Sequence, residues 1–182
     1  MAQKEIVHSK LIKDCIKGKS RAKYKLYELY SQAMFNVCYR MMNNREEAED
    51  MLQEAFVLAF QKLDSFRFES SFGHWLKRLT INQCINQINK RKVDLIYCDD
   101  YYPNLSSDEE KPKEINVSKI NEAMEQLPEG GRLVFSLYLL EGYDHSEIAE
   151  ILAISESTSK TQYMRAKRKI ASILKTEETL TE

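Results

Sequence analysis

Apolar residues recur every three or four positions along most of the chain, which is the spacing of one face of an α-helix. In the first half this spacing predicts four helices, over residues 4–17, 21–42, 44–63 and 72–92. The second of them shows the pattern most fully, since its predicted inner face holds Ala22, Leu26, Leu29, Tyr30, Ala33, Val37 and Met41. The pattern therefore predicts a first domain built from helices.

Two short sequences indicate helix boundaries. Asn44 has the side chain of an N-cap, and Glu47 stands three residues later at the capping-box position. Glu141-Gly142 is typical of a helix end, because glycine readily adopts the left-handed conformation found there. In the second half, four helices are predicted over residues 115–127, 130–140, 146–152 and 157–174.

Residues 93–114 interrupt the helical pattern. They are rich in acidic side chains and include two of the three prolines, which is the composition of an irregular linker. We therefore predict an all-α fold of two small helical domains, residues 1–92 and 115–174. A flexible acidic linker would join them, and a tail would follow at residues 175–182.

Charge is distributed unevenly, although the net charge of the whole chain is only −1. Basic side chains outnumber acidic ones in residues 1–92, and the reverse holds in the rest of the chain. A basic first half fits a nucleic-acid partner. A chain that is nearly neutral overall should bind naked DNA only weakly, because phosphate neutralisation supplies most of the non-specific affinity.

Several features of the sequence indicate the cellular compartment of the protein. No apolar run approaches the ~18 residues needed to span a bilayer, and the N-terminus lacks the pattern of a secretion signal. The four cysteines, Cys15, Cys38, Cys84 and Cys98, form no CxxC pair. We expect a cytoplasmic protein whose thiols are reduced and buried or partly buried.

Residues 144–170 carry the sharpest indication of function. A short amphipathic helix contains the small Ala149, which permits a close helix crossing, and residues 153–155 form a brief turn. The next helix begins among good capping residues and holds five basic residues but no acid between positions 157 and 169. This arrangement predicts a DNA-binding helix-turn-helix whose second helix enters the major groove.

Segments in both halves resemble conserved regions of bacterial sigma factors. Residues 141–152 (EGYDHSEIAEIL) and 157–169 (STSKTQYMRAKRK) resemble region 4 of that family. Residues 47–56 (EAEDMLQEAF) and 72–82 (FGHWLKRLTIN) resemble region 2. Region 2 before region 4, with no region 3 between them, is typical of the extracytoplasmic-function (ECF) group of the sigma-70 superfamily. The resemblance implies an RNA polymerase sigma factor that binds core polymerase and recognises the −10 and −35 promoter elements.

The resemblance also implies which residues of the first domain bind polymerase and the −10 element. Polymerase would be bound by Asp50, Gln53, Glu54 and Phe56, although the helical spacing also allows Phe56 on the inner face of its helix. Trp75 is expected in the core. Opening of the −10 element needs a pocket for a flipped base and cations along the single strand. Residues 67–71, with Phe68, would supply the pocket. Backbone and base contacts would come from Lys77, Arg78, Asn82, Asn86, Lys90 and Arg91.

The −35 contacts are expected at the start of the basic helix. Side chains there that can hydrogen-bond to base edges include hydroxyls, an amide and two cations. These residues are Ser157, Thr158, Lys160, Thr161, Gln162 and Arg165. Lys167, Arg168 and Lys169 would bind phosphate or be solvated. At position 86 the family often has an acid, whereas this chain has Asn86. The base preference of the −10 module therefore stays open.

Two other functions fit parts of the sequence. A helix-turn-helix regulator would bind duplex DNA without polymerase, as a symmetric dimer, but it would not need residues 47–56 and 67–92 in this form. A helical adaptor that binds only protein would not need the segregated positive charge of residues 157–169.

No catalytic or metal site is predicted. Asp144, His145 and Ser146 have the residue types of a hydrolase triad, but adjacent residues do not face one another. The histidines are far apart, no Cys/His spacing indicates zinc, and no glycine-rich phosphate loop is present. We expect neither enzymatic activity nor a cofactor. The resemblance further implies an anti-sigma partner that covers both domains, often one anchored in the inner membrane.

Overall fold

The structure, a computed structural model, describes residues 7–92 and 117–179, and every regular element in these two ranges is helical. Each range forms its own compact unit. The first unit contains α1 (Ser9–Ile16), α2 (Ser20–Met42), α3 (Arg45–Gln61), a 3₁₀ turn (Leu63–Ser65) and α4 (Phe72–Lys92). The all-α prediction is confirmed, while the predicted linker at residues 93–114 lies outside the described residues.

Two consecutive asparagines connect α2 to α3. Asn43 ends α2 in the left-handed conformation, with φ of 53°, which asparagine tolerates better than most residues. The side chain of Asn44 accepts a hydrogen bond from the Glu47 backbone N–H at 3.1 Å, so the predicted N-cap is confirmed. The Glu47 carboxylate contacts the guanidinium of Arg91 in α4 instead of completing a capping box.

Helices α2, α3 and α4 pack around one core, and α1 packs on α2. The inner face predicted for α2 is largely buried, but the prediction was wrong at two positions. Leu29 is 47% exposed and Ala33 is exposed, whereas Met34 and Cys38 are buried. Packing against α3 and α4 buries the side of α2 that holds Met34, and Leu29 lies well away from that side around the helix.

The second unit contains α5 (Val117–Glu125), α6 (Glu129–Phe135), a π-helical turn (Ser136–Leu140), α7 (His145–Leu152) and α8 (Glu156–Thr179). The helix predicted over residues 130–140 therefore changes from α to π geometry at Ser136. Helix α8 continues past the predicted end at residue 174, so residues 175–179 are helical and not a tail. Residues 180–182 lie outside the described residues.

Small residues bring α8 close to α6. A Cβ atom added to Gly131 of α6 would lie 3.6 Å from the Cβ atom of Ala166 in α8. The shared core consists of Ala123, Met124, Leu127, Phe135, Ala166 and Ile170. The inner side of α8 is thus fixed, and its opposite side faces solvent. As predicted, Gly142 adopts the left-handed conformation after the π-helical turn, with φ of 79°.

Three of the four cysteines lie in the described ranges. Cys15, Cys38 and Cys84 are buried free thiols, as predicted, and Cys98 lies outside these ranges. The pKa of Cys84 is raised above its usual value by a hydrogen bond with Cys38 and by burial, so this thiol stays protonated. Across residues 7–92 and 117–179, no helix is both long enough and apolar enough to cross a membrane.

Candidate nucleic-acid and protein interfaces

Helix α3 presents a polar surface on the side opposite its buried face. Asp50, Gln53 and Glu54 are all exposed. Val57 follows at the same helical spacing and is 56% exposed, although it is apolar. We call these four residues the α3 outer face. Sequence reasoning missed Val57, although its position seven residues after Asp50 already assigns it to this side of the helix.

Phe56 does not belong to this surface. Its side chain is only 3% exposed, and its ring packs against Tyr27 at 4.7 Å and Phe60 at 5.9 Å between ring centroids. The expectation that Phe56 contacts polymerase was therefore wrong. Phe56 follows the buried Leu52 by four residues, so it lies on the buried face of α3, where its ring contacts Tyr27 of α2.

The segment between the 3₁₀ turn and α4 is anchored by aromatic rings. Phe66 is buried, and its ring centroid lies 4.8 Å from that of Phe68 and 5.3 Å from that of Trp75. Phe68 is half-buried and has φ of 59°, a left-handed conformation that costs free energy for a bulky residue. Trp75 packs on Phe66 and Phe72, in agreement with a core role.

Helix α4 carries a ladder of exposed polar residues. Arg78, Asn82, Asn86 and Lys90 are spaced four residues apart, and all four are exposed. We call them the α4 ladder. Asn86 and Lys90 share an open depression with Glu54 of the α3 outer face. The two surfaces therefore adjoin, and a partner covering one would lie beside the other.

The other two residues of α4 predicted to bind DNA are less accessible. Arg91 is half-buried, with its guanidinium against the Glu47 carboxylate. Lys77 is also half-buried. Because the side chains of Lys77 and Arg91 are partly covered, the exposed residues of the α4 ladder are more accessible to a DNA strand.

The helix-turn-helix has well-defined caps. Asp144 accepts a hydrogen bond from the Glu147 backbone N–H at 2.8 Å, and the Glu147 carboxylate accepts one from the Asp144 N–H at 2.9 Å. This capping box starts α7. Ala153 ends α7 in the left-handed conformation, and Ser155 Oγ accepts a hydrogen bond from the Thr158 N–H at 3.0 Å at the start of α8. The predicted turn is thus held at both ends.

The predicted −35 residues lie along the outer side of α8. Five of them are exposed, and Gln162 is half-buried beside Gly130 and Gly131. Lys160 forms an ion pair with Glu156, one turn earlier, at 2.6 Å. Thr161 donates its hydroxyl hydrogen bond to the Ser157 carbonyl at 2.9 Å. The outer side of α8 therefore presents hydroxyls and cations, with one acid at its beginning.

The inner side of α8 carries a polar contact that sequence reasoning missed. Ser159 is completely buried, and its Oγ lies 2.9 Å from Nδ1 of His145 in α7. The His145 ring stacks on Tyr138 at 4.4 Å and meets Tyr163 edge-on at 5.7 Å. Burial raises the pKa of Tyr163, and its proximity to Tyr138 adds to that effect. Its position four residues before Tyr163 and seven before Ala166 already assigns Ser159 to the inner side of the helix.

Within the described residues of the two units, His, Cys, Asp and Glu side chains form no cluster that could serve as a set of metal ligands. Within residues 7–92 and 117–179, no group of three or more His, Cys, Asp or Glu side chains could hold a metal ion. His145, flagged in the sequence beside Asp144 and Ser146, hydrogen-bonds to Ser159, while Asp144 caps α7. The chemistry that the surfaces offer is recognition by charge and hydrogen bonding.

The two units match two families. The family model of Sigma-70 region 2 matches residues 26–93, and that of Sigma-70, region 4 matches residues 118–170. Region 2 thus coincides with the helices that carry the α3 outer face and the α4 ladder. Region 4 coincides with the unit that contains the helix-turn-helix.

Relatives match along most of the chain. The ECF RNA polymerase sigma factor SigW of Bacillus subtilis is 33% identical over 177 residues, covering 90% of this chain and 94% of the relative. The ECF RNA polymerase sigma-E factor of Escherichia coli is 27% identical, covering 88% and 90% respectively. The chain is therefore an RNA polymerase sigma factor, a protein that directs transcription initiation. It belongs to the ECF group of the sigma-70 family.

Two solved structures share the fold. One is the sigma factor RpoE in complex with the anti-sigma factor NepR from Bartonella quintana, with a TM-score of 0.54 and 21% identity, covering 84% of this chain and 96% of that one. The other is CnrH in complex with the cytosolic domain of CnrY, with a TM-score of 0.52 and 20% identity, covering 91% and 96%. A helix-turn-helix regulator that acts without polymerase is not favoured, because both sigma regions are present.

Proposed function

We propose that the α3 outer face docks on core RNA polymerase through Asp50, Gln53 and Glu54. The support is that these polar side chains are exposed on one side of α3 while the opposite side is fully packed. Val57 would add an apolar contact at the C-terminal end of this polar surface. Phe56 would act only by supporting the helix from within the core.

The −10 element would be bound by the α4 ladder and by the segment around Phe68. Arg78 and Lys90 supply positive charge for the phosphates of a separated strand, and Asn82 and Asn86 supply amides that can hydrogen-bond to base edges. The left-handed Phe68 sits at the N-terminal side of α4, where a base leaving the duplex could be received. Arg91, held by Glu47, would contribute mainly by fixing the end of α4.

The −35 element would be read by α8 in the major groove. The observation that carries this assignment is the division of α8 into two sides. Its inner side is buried through Ser159, Ala166 and Ile170, and its outer side presents Ser157, Thr158, Lys160, Thr161 and Arg165. A recognition helix requires this division, because it must be held by its own domain while its other side contacts base edges. Gln162, covered in part by Gly130 and Gly131, would reach bases at the margin of the contact.

Transcription in a reconstituted system tests the proposal. The full chain would be added to bacterial core RNA polymerase on a library of templates with random upstream sequence, and the transcribed templates would be sequenced. We expect transcripts that depend on the chain and that share two conserved elements at the −10 and −35 positions. Transcription no greater than with core polymerase alone would overturn the proposal.

Two further expectations belong to the same proposal. The chain would act in the cytoplasm, would catalyse no reaction itself, and would be restrained by an anti-sigma factor that covers both units. The fold that the chain shares with RpoE, which was solved with the anti-sigma factor NepR, supports such a partner here. Crosslinking of cells under growth and under stress would test it, since recovery of polymerase subunits alone in both states would contradict it.

A further inference from the structure

Ser159 is the one member of the exposed stretch 155–161 that is buried. It lies between Thr158 and Lys160, both proposed to contact the −35 element, but its side chain faces the interior. The distance of 2.9 Å between its Oγ and His145 Nδ1 is that of a good hydrogen bond. A buried hydroxyl is costly to leave without a partner, so this bond favours one rotational setting of α8 against α7.

The imidazole of His145, which is hydrogen-bonded to Ser159, is itself held in place. It stacks on Tyr138 of the π-helical turn with an interplanar angle of 13°. Its edge also meets the ring of Tyr163, which lies one turn beyond Ser159 in α8. His145 therefore contacts two successive turns of α8, and its ring also stacks on the π-helical turn. Such a contact can define both the rotation and the axial position of α8.

We infer that His145 and Ser159 are positioning residues that determine how well α8 discriminates between −35 sequences. The inference rests on the proposed −35 role of α8. Neither residue is proposed to touch a base, since Ser159 is completely buried. They act through Thr158 and Lys160, whose orientation follows that of Ser159 on the same helical turn. Because phosphate contacts tolerate small shifts better than bidentate base contacts do, discrimination is affected more than affinity.

The test compares binding of two promoter fragments by the full chain in complex with core polymerase. One fragment carries the −35 sequence most enriched by wild-type selection from a randomised pool, and the other carries that sequence scrambled. The variants are Ser159→Ala, which removes the hydroxyl, and His145→Phe, which keeps the stacked ring but cannot bond to Ser159. His145→Asn is the rescue variant, because its amide lies close to the position of Nδ1. Ser146→Ala, at an exposed position of α7, is the matched control.

We expect Ser159→Ala and His145→Phe each to lower the ratio of enriched to scrambled binding by about fivefold, the scale of one lost hydrogen bond. His145→Asn and Ser146→Ala should retain most of the ratio. Thermal unfolding of each variant sets a temperature at which all are folded. An unchanged ratio in Ser159→Ala and His145→Phe, with only a lower melting temperature, would overturn the inference and leave the −35 assignment intact. A wild-type selection that enriches no −35 sequence would overturn the −35 assignment and the inference together.

Discussion

Glu47 and Arg91 form an ion pair that joins the first turn of α3 to the last turn of α4. The two side chains are 36% and 33% exposed, so the pair is only partly screened by solvent. Helix α3 carries the proposed polymerase surface and α4 carries the proposed −10 surface. The pair therefore links the two helices at one end of the bundle.

We predict that Glu47→Gln and Arg91→Ala each lower the free energy of unfolding and that their effects are coupled. A double-mutant cycle in chemical denaturation should give a coupling of about 0.5–1 kcal/mol, as for partly exposed ion pairs. Arg45 and Glu49, an exposed pair within α3, provide the control cycle and should couple less. Additive effects of Glu47→Gln and Arg91→Ala would show that the pair does not join the helices energetically.

Asp50→Arg should abolish binding to core polymerase without unfolding the chain. Asp50 is exposed, so the new charge costs the fold little, but it changes the net charge of the α3 outer face from −2 to zero. Glu28→Arg makes the same charge change at an exposed position of α2 and should bind polymerase normally. The measurement is the apparent Kd for core polymerase, with circular dichroism to confirm folding. Equal Kd values for the two variants would contradict docking through this face.

Base contacts and phosphate contacts on α8 should be separable. Lys160→Ala with Arg165→Ala should abolish transcription that depends on the −35 element while leaving polymerase binding intact. Lys167→Ala with Lys169→Ala removes the same charge, yet it should weaken binding to all duplexes alike. Its slope of log affinity against log salt should become shallower by about 2, since roughly one counterion is released per phosphate contact. Equal loss of discrimination in both double variants would argue against base reading at Lys160 and Arg165.

Glu156 should limit the affinity of the holoenzyme, the chain bound to core polymerase, for DNA. Its carboxylate holds Lys160 at 2.6 Å and would face the phosphates when α8 enters the groove. Glu156→Gln should therefore raise the affinity of the holoenzyme for non-specific duplex DNA by about two- to threefold, the effect expected from a weak exposed ion pair. Glu150→Gln, at an exposed position of α7, is the control. Unchanged affinity of Glu156→Gln would show that Lys160 already reaches DNA freely.

Ser136 is a site where a substitution should stabilise the protein. Within the described part of the chain, its hydroxyl is buried and has no hydrogen-bond partner. Ser136→Ala removes this unsatisfied group and should raise the free energy of unfolding by about 1 kcal/mol. Ser172→Ala, at an exposed position of α8, corrects for the higher helix propensity of alanine. Destabilisation by Ser136→Ala would indicate that the hydroxyl is satisfied in solution.

The fold was largely predictable because helix periodicity and capping are local properties. The bounds of α4 and the caps at Asn44 and Gly142 followed from the sequence for this reason. Leu29 was assigned to the wrong side because apolar residues flank both edges of the buried face of α2, and packing on other helices decides between them. The π-helical turn at Ser136 could not be predicted, since helix periodicity does not distinguish a short π-helical turn from α-helix.

The exposure of the candidate site residues could be predicted where it follows from helix spacing. Asp50, Lys160 and Arg165 are exposed as expected. Phe56 was assigned to the surface because a motif position does not specify whether a large ring faces the core or the solvent, and its ring is buried. Ser159 went unnoticed because its role depends on His145, fourteen positions away in sequence and on another helix.

Gel filtration of the purified chain with bacterial core RNA polymerase tests the central claim most directly. We predict a stable one-to-one complex, with binding to a promoter fragment only when polymerase is present. Elution of the chain apart from polymerase, together with tight binding of the chain alone to duplex DNA, would contradict its action as a sigma factor.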